Sequence, residues 1–107
     1  MSWYTSTLSR ARSRAQTKGL EFSITEEDLR AMFTAQEGRC YWLGVPLILT
    51  EEPKSPFLPS LDRVNSDRGY RADNVVLACL AANYAKNNTD PDRWEEFLGY
   101  LLPNREN

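Results

Sequence analysis

The residues best suited to chemistry are one carboxylate and two amides in segment 59–87. Asp62 ends a first predicted strand, Asn74 opens a second, and Asn83 lies on the helix predicted to follow. A strand end and a facing helix can bring Asp62 and Asn83 together. One carboxylate oxygen and one amide oxygen, completed by waters, suit Mg²⁺, which prefers hard oxygen ligands. Such an ion can bind a scissile phosphate and stabilise the leaving oxygen.

Basic side chains supply the matching contacts for a phosphate. Residues 1–20 contain three arginines and one lysine but no acid, whereas residues 21–28 contain four acids and no base. Three of them, Arg10, Arg14 and Lys18, recur at four-residue steps on one face of the first predicted helix. This face either is simply solvated or binds phosphates. The full set of residues predicted to bind nucleic acid is Arg10, Arg14, Lys18, Arg63, Arg68 and Lys86.

Composition limits the other possibilities. The 107 residues suit one domain, and the net charge of −2 is not typical of a protein that binds nucleic acid over its whole surface. The chain has no histidine, which excludes Ser–His and Cys–His nucleophile pairs and histidine-ligated zinc. It also lacks an apolar signal core and any apolar run of membrane-spanning length. We therefore expect a cytoplasmic protein with no membrane partner, in which Cys40 and Cys79 are free thiols.

Hydrophobic periodicity predicts an α+β fold with N-terminal helices, a short antiparallel hairpin followed by a helix, and a C-terminal helix. In the last helix, Trp94, Phe97, Leu98 and Leu101 are predicted to form the buried stripe. The predicted helices cover residues 5–18, 25–38, 79–87 and 89–103, the predicted strands cover 58–64 and 74–77, and one or two further short strands are predicted in 40–49.

Segment 59–87, PSLDRVNSDRGYRADNVVLACLAANYAKN, resembles the ββα metal finger of the HNH, or His-Me finger, endonucleases. Asp62-Arg63 matches the Asp-His of the family, Gly69-Tyr70 and Asn74 match its loop, and ANYAK at 82–86 matches its helix string. The upstream strings GRCYWLGVPL and EFSITEEDL resemble phage-type members. On this basis the chain divides into a basic N-terminal helical segment (1–38), a finger region (39–88) and a C-terminal helix with a tail (89–107).

The resemblance implies a function as well as a fold. It implies that Asp62 and Asn83 bind one Mg²⁺ or Mn²⁺ ion, that Asn74 holds the loop, and that DNA is the substrate. The implied setting is a bacterial or phage-infected host cell. Arg63 departs from the family, because an arginine cannot act as a general base at neutral pH. It can instead hold a phosphate or pair with a nearby loop acid, Asp67 or Asp73.

The cysteines are a second departure from the family. Cys40 and Cys79 stand where the first cysteine of each of two zinc-binding Cys-x-x-Cys pairs would be, and the second positions hold Leu43 and Ala82. Two thiolates do not complete a tetrahedral zinc site, so we expect no structural zinc. Apolar packing that includes Trp42 is expected to replace it, with the cysteines acting as small buried hydrophobes.

Two functions remain open at this point. The first is a metal-dependent DNA endonuclease that hydrolyses phosphodiester bonds. The second is a catalytically inactive HNH-like module that binds nucleic acid or a protein partner, for example a phage accessory or inhibitor protein. The retained oxygen ligands favour the first, and the missing histidine favours the second. For the first, the predicted catalytic set is Asp62, Arg63, Asn74 and Asn83.

Overall fold

The computed structural model describes residues 3–50, 52, 54–87 and 89–102. Pro103, predicted to end the last helix, and the tail that follows it lie outside the described residues. The α+β prediction is confirmed. No helix in the described part is long and apolar enough to cross a membrane.

In chain order the elements are α1 (Trp3–Lys18), α2 (Glu26–Ala35), β1 (Pro59–Arg63), β2 (Val75–Cys79), α3 (Leu80–Lys86) and α4 (Pro91–Leu101).

The centre of the fold is the hairpin of β1 and β2, with α3 directly after it. The strands pair antiparallel, with Leu61 opposite Leu77 and Asp62 opposite Val76. All of β1 and most of β2 is buried, which agrees with the apolar sequence of β2, whereas β1 also buries the polar side chains Ser60, Asp62 and Arg63. Because α3 begins at the residue after β2 and packs back on both strands, it faces the end of β1.

The two N-terminal helices cover this hairpin. α1 packs on β1 through Ala11 and Ala15, small side chains that let the helix approach closely. α2 packs on β2 and begins with a capping box, in which Thr25 and Asp28 each accept a hydrogen bond from the backbone of the other. α1 therefore runs beside the strand that carries Asp62.

Two predictions about the remaining segments are wrong. Segment 40–49 contains no strand; it forms a turn held by an isolated bridge between Arg39 and Pro46. The turn is too tight for a longer ladder, since the Cys40 amide already donates to the Val45 carbonyl. On α4, Phe97 and Leu101 are 51% and 53% exposed. This helix packs on the turn along a narrow stripe, and Trp94 meets Trp42 there at 6.0 Å between ring centroids.

A close backbone contact at Gly69 anchors the loop between β1 and β2. The Tyr70 amide donates to the Glu21 carbonyl at 2.8 Å, and a Cβ on Gly69 would lie 2.8 Å from that same oxygen. Gly69→Ala is therefore expected to lower the free energy of unfolding by about 1–3 kcal/mol, measured by urea denaturation.

The matched control is Gly99→Ala on α4, where a Cβ meets no atom within 4 Å. That change should leave stability unchanged or raise it by up to about 1 kcal/mol, because alanine favours a helix over glycine. Equal effects of the two substitutions would contradict the close contact at Gly69.

Candidate functional site

Side chains from α1, β1, α3 and the loop after β1 line one cavity of about 340 Å³. Residues that are far apart in the chain meet here, because α1 runs along β1 while α3 faces the end of that strand. The predicted site residues that line the cavity are Arg10, Arg14, Lys18, Asp62, Arg63 and Asn83. The other three, Asn74, Arg68 and Lys86, do not line it.

Tyr70 contacts two of the arginines that line the cavity. Its hydroxyl accepts a hydrogen bond from Nε of Arg14 at 3.2 Å, and the Arg63 guanidinium lies 5.2 Å from the centre of its ring. Arg14 also donates to the Leu61 carbonyl at 3.2 Å. Tyr70 is itself buried. Its position in the sequence gave no sign of this role, because the ring reaches the arginines only through the fold of the loop.

Of the two alternatives left open for Arg63, the ion pair with a loop acid, Asp67 or Asp73, is not formed. Its Nη1 donates to the backbone carbonyls of Ser66 and Arg68, because the loop curls around the guanidinium. Asp73, one of the two expected partners, lies instead 3.5 Å from Arg68 at the surface. Since carbonyls fix the guanidinium without neutralising it, its charge remains available to an anion in the cavity.

Asp62 is the carboxylate of the cavity, and it belongs to a buried ion pair. It is 4% exposed, its Oδ2 accepts a hydrogen bond from the Trp42 indole at 2.7 Å, and Nζ of Lys86 lies 3.4 Å from both of its oxygens. Burial raises the pKa of Asp62, whereas Lys86 and the Trp42 indole act in the opposite direction.

The prediction that Lys86 contacts nucleic acid is wrong. The side chain is 1% exposed, and its ammonium donates to the Arg63 carbonyl at 2.7 Å as well as facing Asp62. Ala82 and Lys86, one turn apart on α3, are both buried. The Lys86 ammonium also lies over the Trp42 ring, 5.7 Å from its centre. Lys86 therefore neutralises Asp62 inside the protein.

Ser60 orients Asn83. The Asn83 amide nitrogen donates to Oγ of Ser60 at 2.6 Å, and both residues line the cavity. With its nitrogen engaged there, Asn83 keeps its amide oxygen as an acceptor for a ligand. Sequence reasoning missed Ser60, although a signal existed, because residues two apart on a strand share a face and Ser60 precedes Asp62 by two.

Asn74 closes the loop between the strands. Its side-chain oxygen accepts from the Asn65 amide at 3.0 Å, and its nitrogen donates to the carbonyls of Asn65 and Gly69 at 3.1 and 2.9 Å. It is buried and does not line the cavity, so its catalytic assignment is corrected to a structural one. Arg68 lies on the exposed side of this loop.

A solved structure with a similar fold is that of the rare-cutting HNH restriction endonuclease PacI. The similarity has a TM-score of 0.69 and covers 92% of this chain and 76% of that chain, at 18% sequence identity. This chain has the HNH endonuclease fold. The fold implied by the resemblance of segment 59–87 is thereby confirmed.

A sequence relative comes from Acanthamoeba polyphaga mimivirus and is described as an uncharacterised protein. It is 33% identical over 78 residues, which are 73% of this chain and 13% of the mimivirus protein. This chain thus corresponds to a small part of that longer protein. No protein-family model matches the chain.

The oxygen donors of the HNH cavity fit a divalent ion of the kind that the resemblance implies. Among the described residues, no three cysteine, aspartate or glutamate side chains cluster as a metal site. Asp62 and Asn83 nevertheless line the same cavity, and an ionised carboxylate has about four acceptor positions, more than its present contacts fill. An ion such as Mg²⁺, which keeps several waters, needs only one or two protein ligands.

The cysteines of the HNH fold form a buried pair of free thiols. A hydrogen bond between them lowers the pKa of Cys40 to about 6 and raises that of Cys79. Ala82 is buried nearby on α3, and Leu43 packs against the core. The pair thus joins the turn at 40–47 to the end of β2.

Proposed function

We propose that this protein is a metal-dependent DNA endonuclease that hydrolyses phosphodiester bonds. The observation that carries the proposal is the cavity itself, in which an HNH fold brings oxygen donors together with four cationic side chains. A phosphodiester is the ligand that matches such a set, because its two free oxygens carry one negative charge and accept hydrogen bonds from arginine. The acid-free face of α1 would bind further phosphates of the same strand.

The place of each residue in the cavity suggests its proposed role. Asp62 and Asn83 would hold Mg²⁺ or Mn²⁺, which when bound would stabilise charge on the leaving oxygen. Arg63 stands in place of the usual histidine and neutralises charge on the phosphate, without removing a proton. Asp67 and Asp73 do not line the cavity. The attacking water therefore loses its proton to a phosphate oxygen or to solvent.

A second function is favoured by the Asp62–Lys86 ion pair. An ammonium that already neutralises the buried carboxylate reduces the attraction of that carboxylate for a metal ion. With Arg63 in place of the histidine, the same cavity suits a catalytically silent module that binds a phosphate backbone or a protein partner. The two functions share the anion-binding surface and differ only in chemistry.

Plasmid DNA incubated with the wild-type protein distinguishes the two. Nicked or linear product in Mg²⁺ or Mn²⁺ that disappears in EDTA is expected from the endonuclease. Binding without cleavage in any divalent cation would establish the silent module instead. The extent of salt dependence in the binding step measures the phosphate contacts in either case.

Ser60→Ala tests the orientation of Asn83. Without the hydroxyl, the amide is free to rotate, so the Mg²⁺ concentration for half-maximal cleavage is expected to rise about 10-fold, as for other groups that orient metal ligands. Ser55→Ala is the matched control, because Ser55 is also buried but lies outside the cavity. An unchanged metal requirement in Ser60→Ala would remove Ser60 from the site.

A further inference from the structure

An unused tyrosine stands at the edge of the cavity. Tyr84 follows Asn83 on α3, lines the cavity and is 68% exposed. Other large apolar side chains in the described part are also exposed, including Tyr41, Phe97 and Tyr100, but none of them lines this cavity. The exposed ring and the phosphate-binding cations are therefore neighbours.

The Tyr84 side chain is left largely exposed to solvent, unlike the tyrosines that pack on the core. The buried or half-buried tyrosines make identifiable contacts; Tyr70 packs on Phe22, and Tyr4 packs on Trp3. Among the described residues, Tyr84 takes part in no such ring pair, cation–ring contact or side-chain hydrogen bond. A tyrosine exposed to solvent beside an anion site can present both its apolar ring face and its polar hydroxyl to a ligand.

A nucleotide has groups that complement both the cations and the aromatic ring. Its phosphate fits the cations, and its base presents a flat face of the kind that stacks on aromatic side chains. In a duplex, both faces of each base are covered by neighbouring bases, so a protein ring reaches a base face only where the base is unpaired or extruded. A rim tyrosine beside a phosphate site thus selects for unpaired nucleotides.

We propose that Tyr84 is a stacking subsite for an unpaired nucleobase whose phosphate lies in the cavity. The preferred substrate is then DNA with single-stranded or locally opened character. The inference rests on the proposed function, because it uses the same cavity for the phosphate. Leu80 lines the cavity one helical turn before Tyr84 and extends the apolar surface beneath the base.

Fluorescence anisotropy in EDTA, where the metal-dependent activity is off, tests the subsite. The probes are a short single-stranded oligonucleotide and its fully matched duplex, and the variants are Tyr84→Ala, Tyr84→Phe and Tyr100→Ala. Tyr100 is the matched control, an 83%-exposed tyrosine outside the cavity. Tyr84→Ala should weaken single-strand binding about 10-fold and duplex binding less than 2-fold, consistent with the loss of one stacked base. Tyr84→Phe and Tyr100→Ala should bind like the wild type.

A strand that carries 2-aminopurine reports the stacking directly. Its fluorescence should be quenched on binding to the wild type and to Tyr84→Phe, but not on binding to Tyr84→Ala. Equal weakening of single-strand and duplex binding would overturn the proposal and indicate a backbone contact. Wild-type affinity in Tyr84→Ala would also overturn it.

These outcomes are separate from those of the cleavage assay. A protein that never cleaves DNA, but loses single-strand binding selectively in Tyr84→Ala, retains the subsite and loses the endonuclease assignment. A protein that cleaves, with Tyr84→Ala binding both probes as the wild type does, retains the endonuclease assignment and loses the subsite.

Discussion

Replacement of Lys86 by methionine is expected to lower the free energy of unfolding by about 3–5 kcal/mol, the usual effect of removing one partner from a buried ion pair. Methionine fills much of the volume of the buried lysine stem but leaves the Asp62 carboxylate buried without its cation. It also removes the donor to the Arg63 carbonyl. Urea denaturation followed by tryptophan fluorescence measures the loss.

Two further variants make the measurement specific. Lys18→Met replaces an exposed lysine and should change stability by less than about 0.5 kcal/mol. The double variant Lys86→Met with Asp62→Asn removes both charges and should recover part of the loss, giving a favourable coupling energy in a double-mutant cycle. A loss below about 1 kcal/mol in Lys86→Met would show that the folded protein does not depend on the pair. If Lys86→Met alone does not fold, a folded double variant still demonstrates the coupling.

The hairpin and its helix could be predicted because their signals are local. Two short strand candidates on both sides of a turn-rich loop define β1 and β2, and the polar residues at their ends define the motif. The capping residues Thr25 and Asp90 likewise mark the starts of α2 and α4 within the sequence itself. The resemblance of segment 59–87 to the HNH finger rests on these local signals.

The burial of Lys86 could not be predicted in the same way. Lysine is almost never fully buried, and α3 has only 7 residues, too few for its periodicity to identify an inward face. The residues that make burial possible, Trp42 and Asp62, come from a distant turn and from the opposite strand. The exposure of Phe97 has a related origin, because long-range contacts such as that of Trp94 with Trp42 decide which side of α4 is covered.

Part of the candidate site could be predicted from local sequence motifs, and part depends on contacts that only the fold creates. Asp62 and Asn83 were predicted from motif spacing, and the structure places both on one cavity. For Arg63 the sequence left open a phosphate contact or an ion pair with a loop acid; carbonyls of its own loop hold the guanidinium instead of an acid, and no sequence pattern specifies how that loop curls. The charge balance of the cavity is thus a product of the fold. It contains several cations and one carboxylate that is already neutralised, so a metal ion would be held best together with a phosphate that adds negative charge.

Asp62→Asn is expected to reduce DNA cleavage about 100-fold or more while leaving DNA affinity within about 2-fold of the wild type. Asparagine has the shape of aspartate and can still accept from the Trp42 indole, but it lacks the charge that a metal ligand needs. It also leaves the buried Lys86 ammonium without its partner, so cleavage is compared only on protein whose folding has been verified by circular dichroism. Loss of transition-state charge stabilisation of this kind typically lowers rates by 10²–10³. Single-turnover cleavage of a labelled DNA fragment, with binding followed by anisotropy in EDTA, separates the two effects.

Arg10→Ala provides the contrasting variant, because Arg10 lines the cavity from the exposed face of α1. It should weaken DNA binding, reduce the slope of log affinity against log salt by about 1, and leave the cleavage rate at saturating protein nearly unchanged. Asp73→Asn, an exposed acid paired with Arg68 and Arg71 outside the cavity, should behave like the wild type. If Asp62→Asn and Arg10→Ala lose the chemical step equally, Asp62 has no role distinct from phosphate binding. If Asp62→Asn cleaves at the wild-type rate, the carboxylate only pairs with Lys86 and stabilises the fold, and the metal site lies elsewhere.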